Sequence, residues 1–232
     1  MGTVFNGVNS LYDDMLYFQS LIPEYINSYE ELKTRVSKDI VSIDYASGGI
    51  SVHRGWHLPS PTMDIVVGNA GRGRKTKRRT NRTMYQYGYD AAARLICVER
   101  VGEPHVCAEE FILYNDNRSI GAEYWNGWLD FLSLCEYDDG KITSYSRCFL
   151  NNGTINILQK EMYNYDRNGL VSMERIEVML AKDMRRAKYE QRDRYVFEHD
   201  AEGYLSRYQL VDDAQQSADE TVYWDVYIKR KV

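Results

Sequence analysis

Apolar residues along the chain follow two different periods. From Ser10, a helix-capping residue type, Leu11, Met15, Phe18 and Ile22 recur every three or four residues, which predicts a helix closed by Pro23. Ser28 to Glu31 has the Ser-x-x-Glu form of a capping box, and Leu32 with Val36 gives the helix it opens one apolar face. Two short helices in this position would cover an edge or a face of a sheet. From Val41 the period shortens to two. Val41 to Tyr45 alternates, Gly48-Gly49 supplies a turn, and Ile50, Val52 and Arg54 begin a return strand. Pro59 and Pro61 interrupt the pattern, because proline lacks the ladder donor, and Met63 to Val67 reads as a further strand.

From about Thr83 onward the chain is organised by turns. The clearest is Tyr163-Asn164-Tyr165-Asp166-Arg167-Asn168-Gly169-Leu170, where Asp166 accepts backbone bonds and Gly169 takes a left-handed position that closes the hairpin. Tyr163 and Tyr165 share one strand face, and Val171, Met173 and Arg175 line one side of the outgoing strand. Phe197 to Leu205 repeats the arrangement with Asp200 and Gly203, and His199 stands where the tyrosine was. Three looser copies precede these. Asp90 is followed by Ala93 in the glycine position, Asn115 by Arg118, and Asp138 by the shorter Asp139-Gly140, which suits a tight primed turn. The five turn positions, 90, 115, 138, 166 and 200, lie 25, 23, 28 and 34 residues apart, room each time for a strand, a reversal and a returning strand.

That spacing predicts a mainly β fold: an antiparallel meander of successive hairpins in a curved sheet, with short N-terminal helices. Parallel strands would need a helical crossover at each step. A single domain is expected over 1–232, with an N-terminal elaboration over 1–67, a basic loop over 68–82 and the hairpin region over 83–232. Residues 180–193 fit either one exposed helix or two strand ends about a loop. Thr221 to Arg230 alternates, with Val222, Trp224, Val226 and Ile228 on one side, and predicts a terminal strand on the existing sheet.

The turn pattern, aromatic-x-aromatic-Asp-x-x-Gly-x-Leu, resembles the YD repeats of Rhs and related polymorphic-toxin proteins, over roughly residues 83–210. The resemblance implies an extended curling sheet. In the large members that sheet forms a shell around a toxin, a role too big for 232 residues. Small proteins associated with such systems include immunity proteins that bind and block toxin domains, which makes immunity one expected function.

Composition narrows the function. The chain has 20 Tyr against 6 Phe, and tyrosine suits strand faces where the ring packs and the hydroxyl reaches water. A formal net charge of -5 excludes a uniformly basic nucleic-acid binder. No apolar run is long enough to span a membrane and no leader pattern precedes the first helix, so a cytoplasmic protein is expected. Cys97, Cys107, Cys135 and Cys148 read as reduced structural thiols. Their spacing with His53, His57, His105 and His199 matches no metal motif, and neither a metal nor a cofactor is expected.

One segment departs from the rest. Between residues 68 and 82, Arg72, Arg74, Lys75, Lys77, Arg78, Arg79 and Arg82 form a basic run without apolar period. It reads as a solvated loop, or as a contact for an acidic protein or for phosphate groups. The leading expectation is a protein-binding module. A structural or assembly protein is the alternative, through strand addition at a sheet edge. An uncharacterised hydrolase is a further one, drawing on Glu136, Asp138, Asp139 or His199, although each of these is first a turn former or strand-surface group.

Overall fold

A computed structural model describes residues 7–47, 53–66, 72–101, 106–180, 187–211, 223–226 and 230–232. The helical period becomes α1 (Gly7–Tyr25) and α2 (Tyr29–Asp39). α1 begins before Ser10 and passes Pro23, since proline withholds only its own amide and the Ile26 amide still reaches the Ile22 carbonyl at 2.9 Å. The capping box does not form: Ser28 Oγ donates back to the Glu24 carbonyl at the end of α1. Leu11, Phe18, Leu32 and Val36 are buried as their spacing predicts, joined by Tyr25 beyond the expected end at Pro23.

The strands are β1 (Ser42–Ser47), β2 (Arg74–Thr76), β3 (Thr83–Tyr89), β4 (Leu95–Val101), β5 (Val106–Asn115), β6 (Arg118–Trp125), β7 (Trp128–Asp138), β8 (Lys141–Asn151), β9 (Thr154–Asp166), β10 (Gly169–Leu180), β11 (Ala187–His199), β12 (Leu205–Val211) and β13 (Tyr223–Asp225). They form one 13-stranded sheet in which β3 to β13 follow in chain order, with β1 inserted between β3 and the edge strand β2. Every pairing is antiparallel, so the mainly β meander is the observed architecture. The undecided region resolves into strand ends where it is described, Leu180 closing β10 and 187–193 opening β11. The terminal strand is present but short, with Trp224 stacked on Tyr208 at 5.5 Å.

The turns follow their side chains closely. Asp90 Oδ1 accepts the amides of Ala92 and Arg94, and Asp200 Oδ1 those of Glu202 and Tyr204, so the two turns share one geometry. Ala93 (φ +59°) and Gly203 (φ +78°) hold the left-handed position. Asp166 Oδ1 accepts from Asn168 and Gly169, and Asp138 pairs with Lys141 across the expected Asp139-Gly140 turn. The copy at Asn115 differs from expectation: Asn115 pairs with Arg118, and Asp116-Asn117 is the loop, so Arg118 opens a strand rather than replacing a glycine. The reversals between these turns include two Asn-Gly loops, Asn126-Gly127 and Asn152-Gly153. A bulge at Val171 places Leu170 and Met173 together in the core and leaves Val171 38% exposed, so Val171 does not share the side of Met173.

Both faces of the sheet are packed. The first receives α1 and α2 over Phe111, Tyr124, Leu132, Leu134, Leu158 and Ile176. The second receives the link between β1 and β2. Ile50 and Val52 lie outside the described residues, but Arg54 stands in a turn rather than a strand, followed by a 3-10 turn at Gly55–His57. The expected strand at Met63 is the short helix α3 (Met63–Val66), capped by Ser60 Oγ on the Met63 amide at 3.1 Å. A four-residue segment cannot separate helix from strand by period, and the cap decides it. Ile65 of α3 is fully buried among Tyr145, Tyr163, Met173 and Phe197.

Candidate functional site

The second face carries a buried polar network, separate from the Asp14, Lys160 and Ser146 cluster under α1 on the first. Arg54, in the left-handed region at φ +58°, points its guanidinium into the sheet and grips Glu110 with Nε at 2.9 Å and Nη2 at 2.7 Å. Ser133 bonds both partners, and His53 Nε2 lies 2.9 Å from Glu110 Oε2 while Nδ1 meets the Tyr145 hydroxyl. Burial alone would raise the Glu110 carboxyl, but Arg54 and His53 outweigh it and hold it far below the usual range. Burial lowers His53 to about 4, so the ring is neutral near pH 7. An ionised Glu110 only accepts, so His53 carries its proton on Nε2 and accepts from Tyr145 on Nδ1. Gly121 makes room for this assembly: a Cβ there would lie 2.5 Å from Arg54 Nη2 and from Ser133 Oγ.

Beside the network lies a cavity of about 150 Å³, lined by His53, Arg100, Ala108, Glu123, Asp130, Arg147 and Phe149 among others. Burial, with Glu110 second, raises the Glu123 carboxyl to about 8. His53, Glu110 and Glu123 place one ligand atom each within 4.8 Å of one another, the spacing of a metal donor set. The hydrogen bonds argue against that use, because the His53 lone pair is turned to Tyr145 and Arg54 occupies both oxygens of Glu110.

From the cavity a surface continues across the sheet. Register aligns Phe131, Phe149, Ile157, Met179 and Tyr189 in one row. Alongside, Arg147 donates to Gln159, Gln159 to Glu177, and Arg175 bridges Glu177 and Asp193. Met179 is 36% and Tyr189 49% exposed, and none of the five residues of the row belongs to a core cluster of described residues. Next to Arg100, Trp125 pairs across the strands with Trp128, which is 79% exposed and borders a separate hollow with Ile26 and Tyr29. Arg100 stacks on Trp125 at 4.9 Å.

The basic run is only partly a surface feature. Lys75 and Lys77 reach the buried Asp44 at 2.8 and 2.6 Å; burial would raise that carboxyl, but their hydrogen bonds hold it low. Arg72 turns inward to Asp64 and to the carbonyls of Leu58 and Pro61, fastening the link that covers the second face. Arg74, in the edge strand, with Arg78, Arg79 and Arg82 is exposed. None of the seven lines the cavity. The turn residues Asp90, Asn115, Asp138, Gly140, Asp166, Gly169, Asp200 and Gly203 sit at strand ends, away from it. Among the described residues His199 converges on no carboxylate pair, and its buried Nε2, beside Gly169, has no hydrogen-bond partner. Glu136 accepts from Ser144 and pairs with Arg118.

The network was missed in the sequence, yet two signals for it exist. Glu109-Glu110 interrupts the apolar strand of β5, sending one carboxylate to each face, and Gly121 is an isolated glycine inside a strand, a mark of close approach. Compared with protein-family models and with curated proteins, the chain found no match. Among the described residues no helix is long and apolar enough to cross a membrane.

Proposed function

We propose that the chain is a protein-binding module whose contact surface is the outer half of the second sheet face. One observation carries this reading: the row from Phe149 to Tyr189, with its hydrogen-bonded polar neighbours, stays half-buried or exposed while Tyr145, Tyr163, Met173 and Phe197 of that face are packed beneath α3. A fixed polar ladder beside aromatic and aliphatic groups is the composition of an interface core, and the Trp125–Trp128 hairpin tip adds exposed aromatic anchors. Assembly by edge addition is disfavoured, since both edge strands, β2 and β13, have three residues and β2 presents Arg74 and Lys75.

The resemblance of the turns to YD repeats supports a particular form of this role, an immunity protein that blocks a toxin domain. A photo-crosslinking amino acid at Met179 or Trp128 should join the chain to one protein species saturably, and one at Thr34 on α2 should not. Growth protection against that species would establish the immunity form. Crosslinks of equal yield from Thr34, or none from the sheet positions, would overturn the surface.

A further inference from the structure

The cavity is too small for a cofactor but holds a side-chain head group, since a space of about 150 Å³ takes a six-membered ring. Its hollow arises from Ala108, which stands in register between Arg100 and Trp125 and fills little space. Arg100 and Arg147 project from strands four apart, roughly 19 Å across the sheet at the usual strand spacing, and both line the hollow between. Neither is well neutralised. Arg100 meets Glu123 only at 4.0 Å, and among the described residues Arg147 has no carboxylate partner, spending Nε on Gln159. Arg54, by contrast, is cancelled by Glu110.

We infer that this cavity is the subsite for an aspartate or glutamate side chain of the protein partner, its carboxylate held between Arg100 and Arg147 with Glu123 donating a hydrogen bond to it. The assignment rests on the partner reading above and adds the chemistry of the anchor. Glu123 faces Glu110, His53, Arg54, Arg100 and Asp130, and Arg147 lines the same hollow. Burial and Glu110 keep it protonated up to about pH 8, so near neutrality it is a donor. The groups not already paired are then two guanidiniums against Asp130, one positive charge in excess, which a single carboxylate balances. A guanidinium or ammonium guest would instead meet two like charges. Trp125, stacked on Arg100, adds aromatic surface beside such a contact.

Blocked aspartate (N-acetyl-L-aspartic acid α-methylamide), blocked asparagine, inorganic phosphate and methylguanidinium are the probes, read by NMR of the Arg100 and Arg147 Nε–H groups and the Trp125 indole. Blocked aspartate should shift these signals saturably at pH 7, with blocked asparagine about tenfold weaker or more, as loss of a charge-assisted pair implies. Ala108→Leu fills the hollow without changing charge and should abolish the shifts while the fold, read by circular dichroism, persists. Wild type should release the probe as pH rises through about 8, whereas Glu123→Gln, always a neutral donor, should retain it. Equal binding of blocked asparagine, preference for phosphate or methylguanidinium, or no shift with blocked aspartate in the folded wild type would each overturn the assignment. Probe binding with no crosslink from Met179 or Trp128 would remove the protein source. Crosslinks without probe binding would leave the partner surface standing and sink this subsite alone.

Discussion

Glu109 and Glu110 are neighbours in one strand, and alternation sends them to opposite faces of the sheet with opposite consequences. On the first face Glu109 sits at the margin of the helix layer, bonded to Tyr29 and to Lys33, whose side chain is 44% exposed. On the second face Glu110 is sealed, 1% exposed, and held by a guanidinium, an imidazole and a hydroxyl. A helix layer brings mainly apolar side chains, with Asp14 of α1 on the buried Lys160 as its charged exception. An irregular link such as residues 53–66 brings backbone turns, histidine and arginine inward, and the strands beneath must supply matching charge and space. Burial decides the energetic weight of otherwise identical residues.

The sharpest way to break this contrast is to delete one cation from each face. Arg54→Ala leaves Glu110 buried and unpaired and should lower stability by about 3–5 kcal/mol in urea unfolding. Lys33→Ala removes a half-exposed cation from Glu109, which is 8% exposed but keeps its Tyr29 bond, and should cost less, about 1 kcal/mol. Similar losses at the two sites would show that the faces are not different in the sense argued. Next in size is Gly121→Ala, whose Cβ intrudes on Arg54 and Ser133. A loss of about 1–3 kcal/mol is expected from overpacking, and Arg54 Nε signals should shift in the NMR spectrum.

The two Asp-started turns offer a smaller and signed test. Ala93→Gly relieves a left-handed alanine and should stabilise by roughly 0.5–1 kcal/mol, after the extra entropy of glycine is subtracted. Gly203→Ala places a Cβ in open space, so only backbone strain acts, and about 1 kcal/mol should be lost. Equal signs in thermal unfolding would contradict the shared geometry.

Proton linkage separates the groups of the second face by direction. Glu123, raised to about 8, keeps a proton in the folded chain that an unfolded glutamate releases near 4.3. The folded state therefore binds more protons across that window, and stability falls as pH rises through it. Glu123→Gln removes this contribution, so its advantage over wild type in urea midpoint should grow from pH 5 to pH 8. His53 and His57, both lowered to about 4 by burial, act oppositely: the unfolded chain protonates them below about 6.5, and stability is lost as pH falls from there toward 4. His57→Phe should flatten that acid limb, and an unchanged limb would show that His57 titrates normally.

Much of the fold was legible because its determinants are local. Asp90, Asp166 and Asp200 bond amides two to four residues away, and Gly203 answers a backbone requirement of its own position. The misreadings share a cause. Met63 to Val66, the Ser28 box and the shared side of Val171 and Met173 were each settled by a bond or bulge whose partner the period does not encode. The basic run was legible only as charge, since charge density alone does not reveal that Arg72, Lys75 and Lys77 pair with Asp64 and Asp44.

By itself the sequence determined that the chain reverses repeatedly into antiparallel ribbons and that two helices precede them, because turn chemistry and side-chain period act over a few residues. Only the tertiary structure decided which side chains gather into the candidate site. Residues 53 and 54 meet residue 110 across more than fifty positions, and Arg100, Ala108, Glu123 and Arg147 become one cavity through strand register. Such gatherings depend on which link folds over which face, and that choice is fixed by packing of the whole sheet rather than by any segment of it.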